Sequence, residues 1–364
     1  MMQNPALEGA RNLLLNSARL RAGDNLLILH EDPALGWYDD EAPMLVAEVA
    51  RDLGARVRVQ QTSGPDNRIK DESAIIDKES DCCIFFARIG DQLRFEKAIT
   101  GRKRVMSYAA SLKVLASDYG RIEYGAMAAL KNAIDDLLLG ASDIAISCPL
   151  GTNLLGNARE AALDSAEEVS VLRFPVGVHV PVNASCFSGD VRLARFLTPT
   201  GSRVYNPPWI AIDEPVTAEV VGGRIVGYAG QERDIQRIER HYRHVAQQFS
   251  IDPSVIHSWH AGIHPGCRFS ENAADDPDRW SNTVFTNPRF LHFHTCGNYA
   301  PGEICWMVLD PTICLDAVPL WENGTLCPQR FAQTSRCLQD WPQLKQLFEN
   351  DKGEIGLNTE ALST

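Results

Sequence analysis

A chain of 364 residues is too long for one ordinary hydrophobic core and predicts two domains. Its hydrophobic content of 45% and charged content of 23% are globular values. A formal charge of −12 argues against non-specific binding to nucleic acid or to an anionic membrane.

Met1–Arg21 lacks a signal pattern, because Arg11, Arg19 and Arg21 interrupt any apolar core. No apolar run approaches the roughly 20 residues needed to span a bilayer. The ten cysteines show no compact disulfide framework and are read as reduced thiols in a cytoplasmic protein. Apolar spacing over Leu7–Leu20 predicts an opening helix. Asn25–His30 reads as a buried strand, Met44–Leu53 as a helix stopped by Gly54, and Arg56–Gln60 as an alternating strand. Cys82–Ala87 and Val105–Ala109 read as strands, Ile122–Leu139 as a long helix and Ile144–Ser147 as a further strand. This alternation predicts a Rossmann-like α/β domain over residues 1–168 with a mostly parallel sheet. It carries no Gly-x-Gly-x-x-Gly after the first strand, and His30-Glu31-Asp32-Pro33 would repel a pyrophosphate. A scaffold and dimer platform is therefore its expected role.

From Val169 the runs become short, β-branched and punctuated by Pro175, Gly177 and Pro181. Thr217–Tyr228 carries Gly222-Gly223 between two valine-rich arms, a hairpin signal. Glu232–Phe249 has apolar residues at helical spacing, which turns His241 and His244 toward water and sets them aside as ligands. Asn323-Gly324 marks another hairpin, and the tail beyond Asp351 is expected to be mobile. Residues 169–364 thus read as a mainly antiparallel β domain with a helix. Within it, Trp259–Asp316 and the residues just before it hold His257, His260, His264, His292 and His294, with Glu303, Cys305, Asp310 and Asp316. Imidazole, carboxylate and thiolate are the side chains that bind transition metals.

Several of these stretches carry a resemblance. Leu20–Leu29 (LRAGDNLLIL), Ala50–Val59 (ARDLGARVRV), Gly151-Thr152-Asn153-Leu154 and Asp310-Pro311-Thr312-Ile313-Cys314-Leu315-Asp316 with Glu322-Asn323-Gly324 resemble, in order, motifs of the thermophilic metalloaminopeptidases (aminopeptidase T and relatives). The same superfamily includes the mononuclear iron enzyme 2,5-dihydroxypyridine 5,6-dioxygenase. The resemblance implies a Rossmann-like domain, a β-rich domain holding the metal, and a homodimer. It also shows departures. Val178 stands where the aminopeptidases have a ligand Glu in Pro-x-Gly-Glu, which argues against a two-metal peptidase. His260-Ala261-Gly262-Ile263-His264 sides with the dioxygenase, which resembles it in having His at the first place. Glu303-Ile304-Cys305 replaces the His-x-Asp pair of both branches.

Three readings stand side by side. The first is a single-metal site with His260 and Glu303 as ligands, completed by His264, His294 or Cys305. Two imidazoles and a carboxylate suit non-haem Fe(II) and oxygen chemistry on a small polar, aromatic or amino-acid-like substrate. A thiolate in the set suits zinc and hydrolysis. The second is metal-free chemistry with Cys305 or Cys296 as nucleophile and His294 or His260 as base. The third is a binding protein that has lost its metal. Tyr205 and Trp209, flanking Pro207-Pro208, and Arg268 are candidate substrate contacts.

Overall fold

The computed structural model describes residues 4–65, 80–95, 101–158, 170–201, 204–297, 302–349 and 353–357. They form two compact units, Met1–Ala129 with Glu167–Gly177, and Leu130–Ala166 with Val178–Thr364. The expected junction at residues 168/169 lies outside the described residues. The fold class is the one expected: a parallel α/β sheet in one unit and a mainly antiparallel β structure in the other.

In the first unit, β1 (Asn25–Glu31), β2 (Arg56–Thr62), β3 (Cys82–Phe86), β4 (Lys103–Ser107) and β7 (Leu172–Phe174) form a parallel sheet ordered β2-β1-β3-β4-β7. The central strand β3 is buried along its whole length, whereas β2 at the edge buries none of its residues fully. A continuous apolar run suits a strand covered on both faces, and RVRVQ suits an edge. At the carboxyl end of β1, the buried Glu31 carboxylate accepts the Arg88 backbone N–H at 2.5 Å and pairs with its guanidinium, which lies 4.1 Å over the Trp37 ring.

Two strands fall elsewhere than expected. Leu172–Phe174, read as the start of the β-rich half, pairs parallel with β4 in the first unit. Ile144–Ser147 (β5), read as part of the parallel sheet, is an antiparallel strand of the second unit. Its burial alternates, with Ile144 and Ile146 in and Ala145 and Ser147 out. That pattern belongs to a sheet with one wet face.

The second unit is built on a 12-stranded sheet. Its further strands are β6 (Asn153–Gly156), β8 (Val182–Asn183), β9 (Ser188–Pro199), β10 (Ile210–Val221), β11 (Arg224–Ala229), β12 (Ile256–Ala261), β13 (Phe290–Thr295), β14 (Ile304–Leu309), β15 (Thr312–Leu315), β16 (Val318–Glu322) and β17 (Thr325–Leu326). The order is β17-β16-β15-β5-β6-β9-β14-β13-β12-β8, with β10 and β11 branching from β9. Gly222-Gly223 turns β10 into β11 with both φ values positive, the geometry of a two-residue hairpin. Every residue of β13 and β14 is buried. One face of this segment carries Trp259, Phe293 and Trp306 in register across three strands. The helix Glu232–Phe249 covers that face, and Tyr242 hydrogen-bonds the Thr295 hydroxyl there. The helix Pro277–Val284 covers the opposite face through Trp280 against Phe290.

The tail is packed where it is described. Ile355 is buried and its carbonyl accepts the Trp280 indole N–H at 2.6 Å. His241 also departs from expectation. It is buried beside Tyr205, because the covered stripe of its helix is wide enough to include it. Burial lowers its pKa to about 4.

Two predictions follow from the packing. The unfolded chain takes up a proton at position 241 near the ordinary value of 6.5, and the folded chain only near about 4. Stability is therefore intact above 6.5 and falls as pH drops toward 4, by up to about 1.4 kcal/mol per pH unit. In urea titrations between pH 7 and 4.5, His241→Leu should lose stability less steeply than wild type. At Gly262, which follows β12, an added Cβ would lie 2.1 Å from the Asn287 carbonyl oxygen. Gly262→Ala should cost about 1–3 kcal/mol and lower Tm by several degrees, since a backbone must shift to make room.

Candidate metal centre

The face of β12, β13 and β14 opposite Trp259 and Trp306 is polar. Its residues form two rows, set by antiparallel register. One row is His260, His292 and Met307; the other is Ser258, His294 and Cys305. Directly paired residues in a sheet place their side chains on the same face, and so do residues two apart along a strand. His260 and His292 thus meet across β12 and β13, while His292 and His294 are neighbours along β13.

The geometry is tight. The ring centroids of His260 and His292 are 3.8 Å apart, those of His292 and His294 4.5 Å, and those of His260 and His294 5.0 Å. The Nε2 atoms of His292 and His294 face each other at 3.2 Å. One nitrogen from each of the three rings lies within 4.8 Å of the others. Two nitrogens bound to one ion at ~2.0–2.1 Å lie roughly 2.9–3.4 Å apart for bond angles between a right angle and the tetrahedral value. The 3.2 Å separation falls inside that window. The donor chemistry and the spacing both fit a single transition-metal ion. No carboxylate or thiol of the described residues joins the group.

All three imidazoles are buried. Phe285 lies 6.2 Å from His260 and 6.1 Å from His292, and Phe290 lies 6.1 Å from His292. The neutral form of an imidazole is the one that binds a metal. The strand that carries His260 is held just beyond it. The Ala261 N–H donates to His179 Nε2 at 2.9 Å, the Gly262 carbonyl accepts the Trp321 indole N–H at 2.9 Å, and Val178 forms a bridge to Gly262.

The other candidates are placed differently. Cys305 lies directly opposite His294, but its sulfur is outside the three-nitrogen group. Burial pushes its thiol up to about 12, against a smaller opposing effect from the Thr198 and Ser281 hydroxyls. Cys296 is also buried, and its thiol is likewise raised to about 12 by burial and by the nearby Glu303. Neither is a thiolate at neutral pH, which weighs against the metal-free nucleophile. Glu303 is buried just before β14 and lies outside the group. Its carbonyl accepts the Thr200 N–H and the Tyr205 hydroxyl, each at 3.1 Å. His264 sits in the turn after β12, where its Nδ1 accepts the Gly266 N–H at 3.2 Å.

Tyr205 is buried against His241 and Phe249, on the side of the Glu232–Phe249 helix. Trp209 is half-buried, edge-on to Phe196 at 5.8 Å. Arg268 is exposed beside Gly353. None of these three belongs to the group of His260, His292 and His294. Asp310 is bidentate to Arg289 at 2.7 and 2.9 Å, and one Asp316 oxygen accepts the N–H groups of Ser142 and Asp143 at 2.9 and 3.0 Å. Both carboxylates hold turns.

Sequence reasoning named His260 and His294 as candidate ligands but not His292, which the structure groups with them. The signal was present in FLHFHT: two histidines two apart in an apolar strand share one face.

No known family profile matches the sequence, and no curated protein is significantly similar to it. Among solved structures, 2,5-dihydroxypyridine dioxygenase from Pseudomonas putida KT2440 superposes with a TM-score of 0.59 at 15% identity, covering 92% of this chain and 100% of that one. AmpT from Thermus thermophilus superposes at 0.44 and 11% identity, covering 88% and 98%. The chain therefore has the fold of 2,5-dihydroxypyridine dioxygenase over almost its entire length.

Proposed function

We propose that this chain is a single-metal enzyme whose metal is held by His260, His292 and His294, and that it is an iron-dependent oxygenase acting on a small polar or aromatic substrate. The observation that carries the reading is the convergence of three buried imidazole nitrogens from two adjacent strands. The oxygenase assignment draws support from the dioxygenase that shares the fold. Fe(II) bound there would supply redox chemistry with O₂.

The chain's own residues do the rest. The three imidazoles bring no negative charge, so the site favours a substrate that supplies one, such as a phenolate, enolate or carboxylate. Phe285, Phe290 and Trp280 exclude water from one side of the histidines. Cys305, protonated and held near Thr198 and Ser281, contributes a neutral polar group beside His294. A second reading has a specific basis. Three histidines with no carboxylate are also the zinc set that lowers the pKa of a bound water to ~7, which would make the enzyme a hydrolase.

Metal content of protein purified under argon tests the site. Wild type should carry about one ion per chain. His260→Ala, His292→Ala and His294→Ala should each lose it, while Glu303→Gln and Cys305→Ser should retain it. Loss in Glu303→Gln with retention in His292→Ala would restore the carboxylate-containing set and sink the three-histidine site. Iron with substrate-dependent O₂ uptake supports the oxygenase; zinc with oxygen-independent turnover supports the hydrolase.

A further inference from the structure

The three histidines are not held alike. His292 and His294 lie within β13, flanked along their length by hydrogen-bonded strands on both sides. His260 is the next-to-last residue of β12, whose other neighbour β8 pairs only at Ser258 and Trp259. Beyond Trp259 the outer edge of β12 has no continuing ladder from β8, so His260 depends on other groups for its position.

Those groups are specific. The Ala261 N–H would lack a strand partner on that side, and the His179 ring supplies one through Nε2 at 2.9 Å. Because Nε2 accepts, the ring proton is on Nδ1, from which it is donated to the Val180 carbonyl at 2.6 Å. That second bond fixes the tautomer and the ring plane. The same ring stands edge-to-face with His260 at 6.2 Å and with Trp259 at 5.4 Å, and packs on Trp321 at 5.8 Å. Trp321 then donates its indole N–H to the Gly262 carbonyl at 2.9 Å. The Gly262 N–H in turn donates to the Phe290 carbonyl at 3.0 Å. The backbone after His260 is therefore gripped at three polar groups, two of them by side chains.

We infer that His179 and Trp321 are positioning residues that fix His260 for metal binding, acting through the Ala261–Gly262 backbone rather than touching the metal. The inference rests on the three-histidine reading above. Groups one step removed from a metal typically change its affinity by ~10–100-fold when removed, because the ligand must then be ordered on binding.

The test uses full-length protein titrated anaerobically with Co(II), read by its visible absorption, and with Zn(II), read by chelator competition. His179→Phe keeps the ring volume and loses both hydrogen bonds. His179→Gln places an amide oxygen within reach of the Ala261 N–H. Trp321→Phe removes the bond to Gly262 and part of the indole packing while leaving both His179 hydrogen bonds in place. The expected result is a ~10–100-fold weaker affinity and an altered Co(II) spectrum in His179→Phe. His179→Gln should recover most of both, and Trp321→Phe should show a smaller shift in the same direction. Wild-type affinity and spectrum in His179→Phe and Trp321→Phe, with only a lower Tm of the metal-free protein, overturn the positioning role. If His179→Phe does not fold, the comparison of Trp321→Phe with wild type decides alone. Failure of wild type to bind either ion, or undiminished binding by His260→Ala, instead overturns the metal site itself, so the two failures are separable.

Discussion

The antiparallel register of β12, β13 and β14 is the constraint on which the candidate site depends. A slip of one residue between β12 and β13 would turn His260 to the tryptophan face and leave His292 and His294 without their third partner. The register is secured on the other face, where Trp259, Phe293 and Trp306 align across the three strands, Phe293 packs on Trp306, Trp259 packs on Phe187, and Tyr242 of the Glu232–Phe249 helix hydrogen-bonds Thr295. The large apolar residues that stabilise the sheet therefore also set the polar face. This is a case in which the core and the site are two sides of the same strands.

That dependence explains what could be read from the chain. The helices and strands with clear periodicity, such as Glu232–Phe249 and Arg56–Thr62, are where the spacing puts them. The hairpin at Gly222-Gly223 follows from the residues that tolerate positive φ. Strand membership was less legible. Ile144–Ser147 sits among α/β elements in sequence, yet pairs with β15, far along the chain. Only its alternating pattern hints at a half-wet antiparallel strand, and four residues make a weak pattern.

The candidate site shows the same division. His260 and His294 were visible as members of a histidine-rich stretch and are brought together. Glu303 entered through motif correspondence, which transfers a position along the chain but not the side chain's neighbours. In this fold β14 presents Cys305 and Met307 at the positions paired with His294 and His292, and the imidazoles stand on β13 instead. Which side chains stand together thus depends on a pairing between strands ten or more residues apart. No local property of Glu303 could reveal that it lies outside the group.

The surroundings of the histidines bear on why a carboxylate is absent. A buried carboxylate is expensive unless it is paired; Glu303 is buried nearby but outside the group, and the positions that face the histidines are Cys305, Ser258, Thr198 and Met307, none of which is a carboxylate. The charged pairs of this unit lie elsewhere, as with Asp310 and Arg289 at the turn into β15. The polar face carries no negative charge of its own. If an ion is bound there, its charge would be balanced by whatever enters the site. With imidazoles as the proposed ligands, the electrostatic work would shift from the protein to the substrate, and binding of a metal and of an anionic partner would be mutually reinforcing on this scaffold.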